Sequence, residues 1–326
     1  MVSPSGSQRP IADLRLLISG FWPLASIIWL LASSLWLLVP AVAADPIPAA
    51  RGLLLDATTV GPTIIAVGER GAILRSTDSG QSWELLPSPT RATLTGISFA
   101  DNNQGWIVGH DGVILATRDG GTTWTQQINN PALSFLDVLA LDPRHAVAIG
   151  AFGSFFTTDD AGTTWTPRKA LEEDLHLNRL TASADGTLFI AGERGTLLRT
   201  TRNLETFTAT PTGYEGSFFG VLPLGPATAL AYGLRGHVYR SEGAEISWQP
   251  VALATPALIM TAVKLKTGPI ILAGQARAFF VSNDDGLTFH PWQPGLTTAV
   301  AELLEAPNGT LLAFGEAGVT HLPKPE

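Results

Sequence analysis

The chain has 326 residues, of which 20 are basic and 28 acidic, giving a net charge of −8 at pH 7. This acidic balance excludes the broad basic surface that nucleic-acid binding requires, so we expect no nucleic-acid partner. The chain has no cysteine, which excludes disulfides, thiolate metal sites, a cysteine nucleophile and a lipoprotein attachment residue. The six histidines form no close ligand pair and no glycine-rich loop precedes a helix, so we expect no metal, no nucleotide and no other cofactor.

Residues 1–44 have the organisation of an export leader. Two arginines, Arg9 and Arg15, precede an uncharged run of 27 residues, 16–42, and about 20 apolar residues suffice to cross a bilayer. The run ends in a helix-breaking proline and a small-residue cleavage sequence, as signal peptides do. We predict cleavage near Ala43 or Ala44, with a retained N-terminal membrane anchor as the alternative. Either form exports the rest of the chain to a periplasmic or thylakoid-lumen-like compartment.

The remainder, residues 45–326, repeats a short glycine-centred sequence at intervals of 41 or 42 residues. Its seven glycines are Gly68, Gly109, Gly150, Gly192, Gly233, Gly274 and Gly315. A period near 40 residues is typical of repeat architectures whose units pack on their neighbours. Each unit has four short apolar segments separated by Gly, Asn and Asp turns, which indicates strands. We therefore predict an all-β, seven-bladed β-propeller of four-stranded blades.

A second periodic motif, Ser/Thr-x-Asp-x-Gly-x-x-Trp, lies between the third and fourth predicted strands. This Asp-box, or bacterial neuraminidase repeat, is intact three times and survives with phenylalanine in a fourth copy. Its residues are Asp78, Gly80, Trp83, Asp119, Gly121, Trp124, Asp160, Gly162, Trp165, Asp284, Gly286 and Phe289. Because one active site cannot use copies spread around a ring, we assign these aspartates to hairpin locking and the aromatics to packing between blades.

The seventh unit is too short for four strands. In the first unit the aromatic that opens the fourth strand lies 15 residues after the glycine, whereas only 11 residues follow Gly315. An open edge favours aggregation, so we predict that residues 45–52 supply the missing outer strand and close the ring. Pro46 and Pro48 suit an outermost strand.

The blade sequence Val67-Gly68-Glu69-Arg70-Gly71-Ala72-Ile73-Leu74-Arg75-Ser76-Thr77-Asp78-Ser79-Gly80-Gln81-Ser82-Trp83, repeated behind an export signal, resembles the photosystem II stability and assembly factor family of chloroplasts and cyanobacteria. The resemblance covers nearly all of the chain after residue 45. It implies a non-catalytic protein that binds a membrane protein or a membrane-protein assembly intermediate from the lumenal side. We expect it to act as a monomer. Related propellers occur in bacteria that do not photosynthesise, and the missing lipoprotein cysteine departs from the cyanobacterial pattern.

That family is associated with an arginine-rich patch, and two periodic sets of arginines are candidates here. Arg70, Arg194 and Arg235 lie in the predicted turn between the second and third strands, so they share one face of the disc. Arg75, Arg199 and Arg240 follow five residues later on the third strand. Guanidinium groups suit recognition of carboxylates on a protein partner. The alternatives are local pairing with Glu69 and Glu193 for the first set and packing between blades for the second.

Two other functions stay open. The protein could be an accessory of an inner-membrane transporter or envelope complex, which no residue distinguishes from an assembly factor. A sialidase-like glycoside hydrolase would need a nucleophile and an activating acid, for which Tyr214 and Glu215 are the best pair. Neighbours on a strand point to opposite sides, and six blades are usual for that class. The polar stretch 171–176 is either a contact loop or a solvated turn.

Overall fold

The computed structural model describes residues 49–225, 228–243 and 247–325. The predicted leader, residues 1–44, lies outside this part of the chain. In the described ranges the secondary structure consists of β-strands and four single 3₁₀ turns, Ala49–Arg51, Glu69–Gly71, Ala151–Gly153 and Leu234–Gly236. None of the helices in these ranges is long and apolar enough to cross a membrane.

The strands form seven consecutive antiparallel sheets. Blade one contains β1 (Leu54–Val60), β2 (Thr63–Gly68), β3 (Ile73–Ser76) and β4 (Glu84–Leu85). Blade two contains β5 (Leu94–Phe99), β6 (Gly105–Gly109), β7 (Val113–Thr117) and β8 (Thr125–Ile128). Blade three contains β9 (Phe135–Ala140), β10 (Ala146–Gly150), β11 (Phe155–Thr158) and β12 (Thr166–Pro167). Blade four contains β13 (Leu177–Ala182), β14 (Thr187–Gly192), β15 (Leu197–Thr201) and β16 (Thr208–Ala209).

The last three blades continue the pattern. Blade five contains β17 (Phe218–Gly225), β18 (Thr228–Gly233), β19 (Val238–Glu242) and β20 (Ser247–Val251). Blade six contains β21 (Ile259–Lys264), β22 (Ile270–Gly274), β23 (Phe279–Ser282) and β24 (His290–Pro291). Blade seven contains β25 (Val300–Glu305), β26 (Leu311–Gly315) and β27 (Gly318–Leu322). Within each blade every strand pairs with the next along the chain, which confirms the seven-bladed propeller.

The first strand of each blade packs beside the first strand of the next, and β25 returns to β1. The first strands are therefore innermost and surround the central channel. The second strands are covered on both faces by neighbouring blades, which explains their unbroken apolar sequences. The ring is closed by apolar packing of Ile64 and Leu74 from blade one against Leu312 and Phe314 from blade seven.

The periodic glycines end the second strands because the backbone leaves no space for a side chain. A Cβ on Gly68 would lie 2.0 Å from the carbonyl oxygen of Leu53, and the same contact recurs at all seven glycines with distances of 1.9–2.5 Å. Such distances are far below van der Waals contact. The repeat that identified the fold in the sequence is thus a requirement for close approach of two strands.

Residues 45–52, predicted to close the ring as an outer strand, differ from this prediction in the part that the structure describes. Blade seven has three strands, as expected, but Ala49–Arg51 form a 3₁₀ turn instead of a fourth strand. The carbonyl oxygen of Ala50 packs on Gly318 of blade seven as that of Thr90 packs on Gly71 of blade one. This part of the segment therefore replaces the connection that follows an outer strand, and residues 45–48 lie outside the described chain.

Candidate functional site

The turns between the second and third strands, with the connections between blades, form one face of the disc, here called the turn face. In six blades the middle residue of this turn has a left-handed backbone, with φ between 52° and 57°. These residues are Arg70, Asp111, Phe152, Arg194, Arg235 and Ala276. Glycine and asparagine adopt this conformation most readily, and other residues do so at a cost of about 1–2 kcal/mol. Five of the six are residue types that disfavour this conformation, and Asp111 is the exception.

The three predicted turn arginines are exposed on this face. Arg70, Arg194 and Arg235 form no ion pair or hydrogen bond with any other residue that the structure describes. The neighbouring glutamates are engaged elsewhere. Glu69 accepts a hydrogen bond from the Leu53 backbone N–H at 3.4 Å, and Glu193 accepts one from the His176 backbone N–H at 2.9 Å. Local pairing with these glutamates therefore does not occupy the guanidinium groups.

A fourth arginine, Arg277, was missed by the sequence analysis. It is exposed and has φ 61°, at the turn position where the six other blades carry glycine. It lies three residues after Gly274, whereas Arg70 lies two residues after Gly68. The shift by one position removed it from the periodic set, although the spacing from the glycine was a usable signal.

A cavity of about 360 Å³ opens on this face beside blade one. Its lining includes Arg70 and Arg91 together with Leu85, whose side chain is 57% exposed. Two guanidinium groups beside an apolar surface suit a polypeptide segment that carries a carboxylate next to an apolar side chain.

The third-strand arginines have a different environment. All three are half-buried, and the Arg240 side chain is only 11% exposed. Arg240 Nε donates a hydrogen bond to the Asp285 carbonyl at 3.0 Å, and its guanidinium also pairs with Glu242. Arg240 thus joins blade five to the Asp-box turn of blade six, which favours the packing interpretation for this residue.

The Asp-box aspartates are saturated by local hydrogen bonds. Asp78 accepts hydrogen bonds from the Ser76 hydroxyl at 2.8 Å and the Ser82 backbone N–H at 2.9 Å, and Trp83 Nε1 donates to the Gly80 carbonyl at 3.0 Å. The boxes around Asp119, Asp160 and Asp284 repeat the aspartate contacts. Hydrogen bonds from Ser82 and Thr288 lower the pKa of Asp78 and of Asp284 to about 2. These contacts support a structural role for the boxes.

The candidate hydrolase pair is not arranged for catalysis. Tyr214 Oη donates a hydrogen bond to the Leu234 carbonyl at 3.0 Å, and its ring stacks on His237 with a centroid distance of 4.1 Å. Burial raises the pKa of Tyr214, which opposes formation of a phenolate nucleophile. Glu215 is exposed.

A second cavity, of about 580 Å³, lies on the opposite face between blades three and four. Its two arginines are engaged with main-chain carbonyls: Arg168 donates to Leu204 at 2.9 Å and Arg202 to Leu141 at 2.7 Å. These bonds hold adjacent blades together, so we interpret the cavity as a groove between blades.

The central channel contains a charge cluster that the sequence analysis also missed. Arg179 from blade four lies 3.2 Å from Asp56 of blade one, 3.7 Å from Asp137 of blade three and 2.8 Å from Glu302 of blade seven. All four follow a β-bulge at the same position of the first strand, two residues after its opening residue. Contacts between blades on opposite sides of the ring place the cluster on its axis. The sequence pattern that could have identified this cluster is a charged residue at the equivalent first-strand position of four blades.

Each carboxylate of the central cluster also contacts a neighbouring blade. Asp56 accepts a hydrogen bond from the Ile97 backbone N–H at 2.8 Å, Asp137 accepts one from Leu180 at 2.7 Å, and Glu302 accepts one from the Thr261 hydroxyl at 3.2 Å. Burial raises the pKa values of Asp137 and Glu302 although Arg179 opposes the rise. The three carboxylates raise the pKa of Arg179 despite its burial. In the described ranges no three His, Asp or Glu side chains are arranged to hold a metal ion.

The fold and this face define a class: Asp-box propellers with seven blades and an exposed arginine face. The family model for "Photosynthesis system II assembly factor YCF48" matches residues 75–130 and 128–300. The match spans more than half of the chain, which therefore belongs to the YCF48 family. The description of this family is that of an assembly factor.

Solved structures share the fold. The chain is similar to "YCF48 bound to D1 peptide" with 21% identity and a TM-score of 0.68, covering 84% of this chain and 94% of that one. It is similar to YCF48 from Cyanidioschyzon merolae with 17% identity and a TM-score of 0.68, covering 82% and 94%. The WD40 propeller of Doa1 is similar in fold at 10% identity and a TM-score of 0.67, covering 84% and 94%.

One curated relative matches over a single blade length. The uncharacterized protein YkuO of Bacillus subtilis is 40% identical over 43 residues, which is 13% of this chain and 14% of that protein. The match therefore spans far less than two thirds of YkuO.

Proposed function

We propose that this protein is an exported, non-catalytic propeller that binds a membrane protein, or an assembly intermediate of one, through its turn face. The observation that carries the proposal is the set of exposed turn arginines, Arg70, Arg194 and Arg235. Each is held in a left-handed backbone conformation, and none is paired within the described chain. A backbone that disfavours these residues and a surface that leaves them unpaired indicate a use outside the molecule.

The arginines define the chemistry of the partner. Guanidinium groups bind carboxylates through two parallel hydrogen bonds, and four of them on one face attract an acidic polypeptide segment. The structure described as YCF48 bound to D1 peptide supports a peptide as the type of ligand that this fold accepts. The partner here is identified by its carboxylates and by its location at a membrane.

Export is part of the proposal. The uncharged run at 16–42 and the small residues before residue 45 support delivery across a membrane, either with cleavage near Ala43 or Ala44 or with the leader kept as a tether. Both routes place the propeller beside the exported parts of membrane proteins, in the periplasm or a lumen-like compartment.

The test is affinity capture of the tagged full-length protein from gently solubilised membranes of its host, followed by mass spectrometry. The triple variant Arg70→Gln, Arg194→Gln, Arg235→Gln should lose the membrane protein that the unaltered chain captures, because three guanidinium contacts are removed. Its melting temperature should not fall, because the three native arginines form no ion pair or hydrogen bond with other residues in the described structure.

A matched control removes three positive charges from the opposite face through Arg118→Gln, Lys266→Gln and Lys324→Gln, all at exposed positions. This control should retain capture. If the arginine triple variant captured the membrane protein as well as the control does, the turn face would not be the binding site. The identity of the captured protein distinguishes a role in photosystem assembly from that of an accessory protein of a transporter or envelope complex.

A further inference from the structure

Phe152 occupies the middle of the blade-three turn, where blades one, four and five carry arginine. Its side chain is 73% exposed, more than any other large apolar side chain in the described ranges. Its backbone has φ 53°. Left-handed backbone is a genuine outlier for a bulky residue, and an exposed phenyl ring adds unfavourable hydration. Asparagine at this position would relieve both costs, so an internal structural role does not explain the residue.

The ring is held in a defined orientation. Its centroid lies 4.9 Å from that of His176, with the two planes at 86°. Glu193 fixes His176, since it accepts the His176 backbone N–H at 2.9 Å and lies 3.4 Å from Nδ1. Gly153 N–H donates to the Leu175 carbonyl at 2.8 Å, which attaches the turn to the connection between blades three and four. A fixed aromatic ring binds with little loss of conformational entropy.

The surroundings of Phe152 are acidic, unlike the arginine turns of the same face. Glu172, Glu173 and Asp174 are exposed on the connection beside it. Lys169 lies 3.6 Å from Glu172, and Glu173 and Asp174 form no ion pair in the described structure. Asp174 Oδ1 lies 3.8 Å from where a Cβ on Gly153 would stand, so its carboxylate is adjacent to the turn.

We propose that Phe152 and His176, with Glu173 and Asp174, form an anchoring corner that takes a basic segment of the partner polypeptide carrying an apolar side chain. This inference rests on the proposed function, because the corner belongs to the same face. An apolar side chain of the partner packs on the phenyl ring, and a neighbouring lysine or arginine meets the carboxylates and the ring face. An anionic lipid surface is repelled by the same carboxylates.

The corner and the arginines together give the face two signs of charge. A partner segment then binds in one direction, with its basic end on blade three and its acidic end on the arginine turns. The reversed orientation would place like charges together, which disfavours it.

Site-directed photo-cross-linking tests the corner in the full-length protein, with solubilised host membranes as the source of partner. Phe152 is replaced by p-benzoylphenylalanine, a photoreactive derivative of phenylalanine, and the same probe is placed at Arg235 and at Leu287. Leu287 is 56% exposed on the opposite face and serves as the control. We expect position 152 to cross-link to a segment with more Lys and Arg than Asp and Glu. Position 287 should give no such product.

Variants separate binding from structure. Phe152→Asn should raise the melting temperature, because the backbone strain is relieved, and should lower capture at least tenfold. Phe152→Tyr should keep capture, and Glu173→Gln with Asp174→Asn should reduce both capture and its dependence on salt.

The outcomes are distinct. Cross-linking at position 235 without cross-linking at 152 would overturn the corner and leave the proposed function intact, whereas failure at both would overturn both. Cross-linking of position 152 to an acidic segment would refute the charge assignment. Unchanged capture by Phe152→Asn would show that the ring does not bind the partner. A lower melting temperature together with normal capture would show that the ring has a structural role only.

Discussion

The Asp-box aspartates show how a short side chain can organise a turn. Asp119 accepts hydrogen bonds from the Thr117 and Thr123 hydroxyls and from two backbone N–H groups, Thr122 and Thr123. Nearly all of its acceptor capacity is therefore used within one hairpin. Because these contacts are local in sequence, the spacing of the motif was sufficient to predict them.

This predicts that Asp119→Ala lowers the free energy of unfolding by about 1–2 kcal/mol at pH 7, because several turn donors lose their acceptor. Burial opposes ionisation of Asp119, but its hydrogen bonds outweigh burial and lower its pKa. The stabilisation that ionised Asp119 provides is thus fully present above the pKa that Asp119 has in the unfolded chain, and it is lost as the pH falls through the pKa of Asp119 in the folded chain. Urea unfolding at pH 7 and at acid pH measures both effects.

Asp159→Ala is the matched control, since Asp159 is exposed and only its backbone carbonyl accepts a hydrogen bond, from Arg144. It should change stability little. Equal losses from the two variants would contradict a special role for the box aspartate.

Other residues resisted prediction because their meaning depends on distant parts of the chain. Phe152 is an ordinary apolar residue in the sequence, and only its exposure and backbone angle distinguish it. Arg277 is one position out of phase with the other turn arginines. Periodicity identifies residues that repeat, whereas these two are informative because they depart from the repeat.

At the scale of elements, the first strands combine two tasks. Their bulges place one residue per blade beside the channel, and four of those residues form the central charge cluster. Sequence patterns identified these segments as strands but did not show which of their residues would face the channel. The contacts of Arg179 with Asp56 and Glu302 each span 123 residues of sequence, so no local pattern could reveal them.

The central cluster holds three carboxylates around one guanidinium, which favours retention of a proton near neutral pH. Burial raises the pKa of Glu302 to about 7, above the usual value for an unfolded chain. Between about pH 4.5 and 7 the native state therefore binds more protons than the unfolded state, and stability falls as the pH rises. We expect Glu302→Gln to reduce this slope, because an amide does not titrate in this range. The glutamine can still accept a hydrogen bond from Arg179 and donate one to Thr261, so the contacts of the cluster are kept.

Melting temperatures across pH 5–8 measure the effect, and the unaltered protein should lose about 2–6 °C relative to Glu302→Gln over that range. Glu305→Gln, on the same strand but outside the cluster, controls for net charge. Parallel curves for Glu302→Gln and the unaltered protein would show that the cluster does not titrate there.

For the whole molecule, seven repeats were enough to predict the architecture, and the joint between blades one and seven was predicted only in part. The sequence showed that the last blade was short. It could not show that Ala49–Arg51 would form a turn against β27 in place of a strand, because that choice depends on the space beside Gly318. Such packing is decided in three dimensions.

Deleting residues 45–52 from the full chain should lower the melting temperature by several degrees or cause aggregation, because it uncovers the edge beside β27. Differential scanning fluorimetry and light scattering measure these outcomes. Deleting residues 323–326, which follow the last strand, is the comparison and should have a smaller effect. An unchanged melting curve for the first deletion would show that blade seven is complete without this segment.

The joint between blades one and seven differs from the other six in how it must be made. His321 Nε2 lies 2.8 Å from the Gly80 carbonyl across 241 residues of sequence, whereas other joints connect consecutive blades. The entropy of loop closure increases with the length of chain enclosed. During synthesis six joints can form as the blades emerge, but this one waits for the final strand. The ring therefore has a seam, which is the last joint to form and the first place where we expect a mechanical pull to open it.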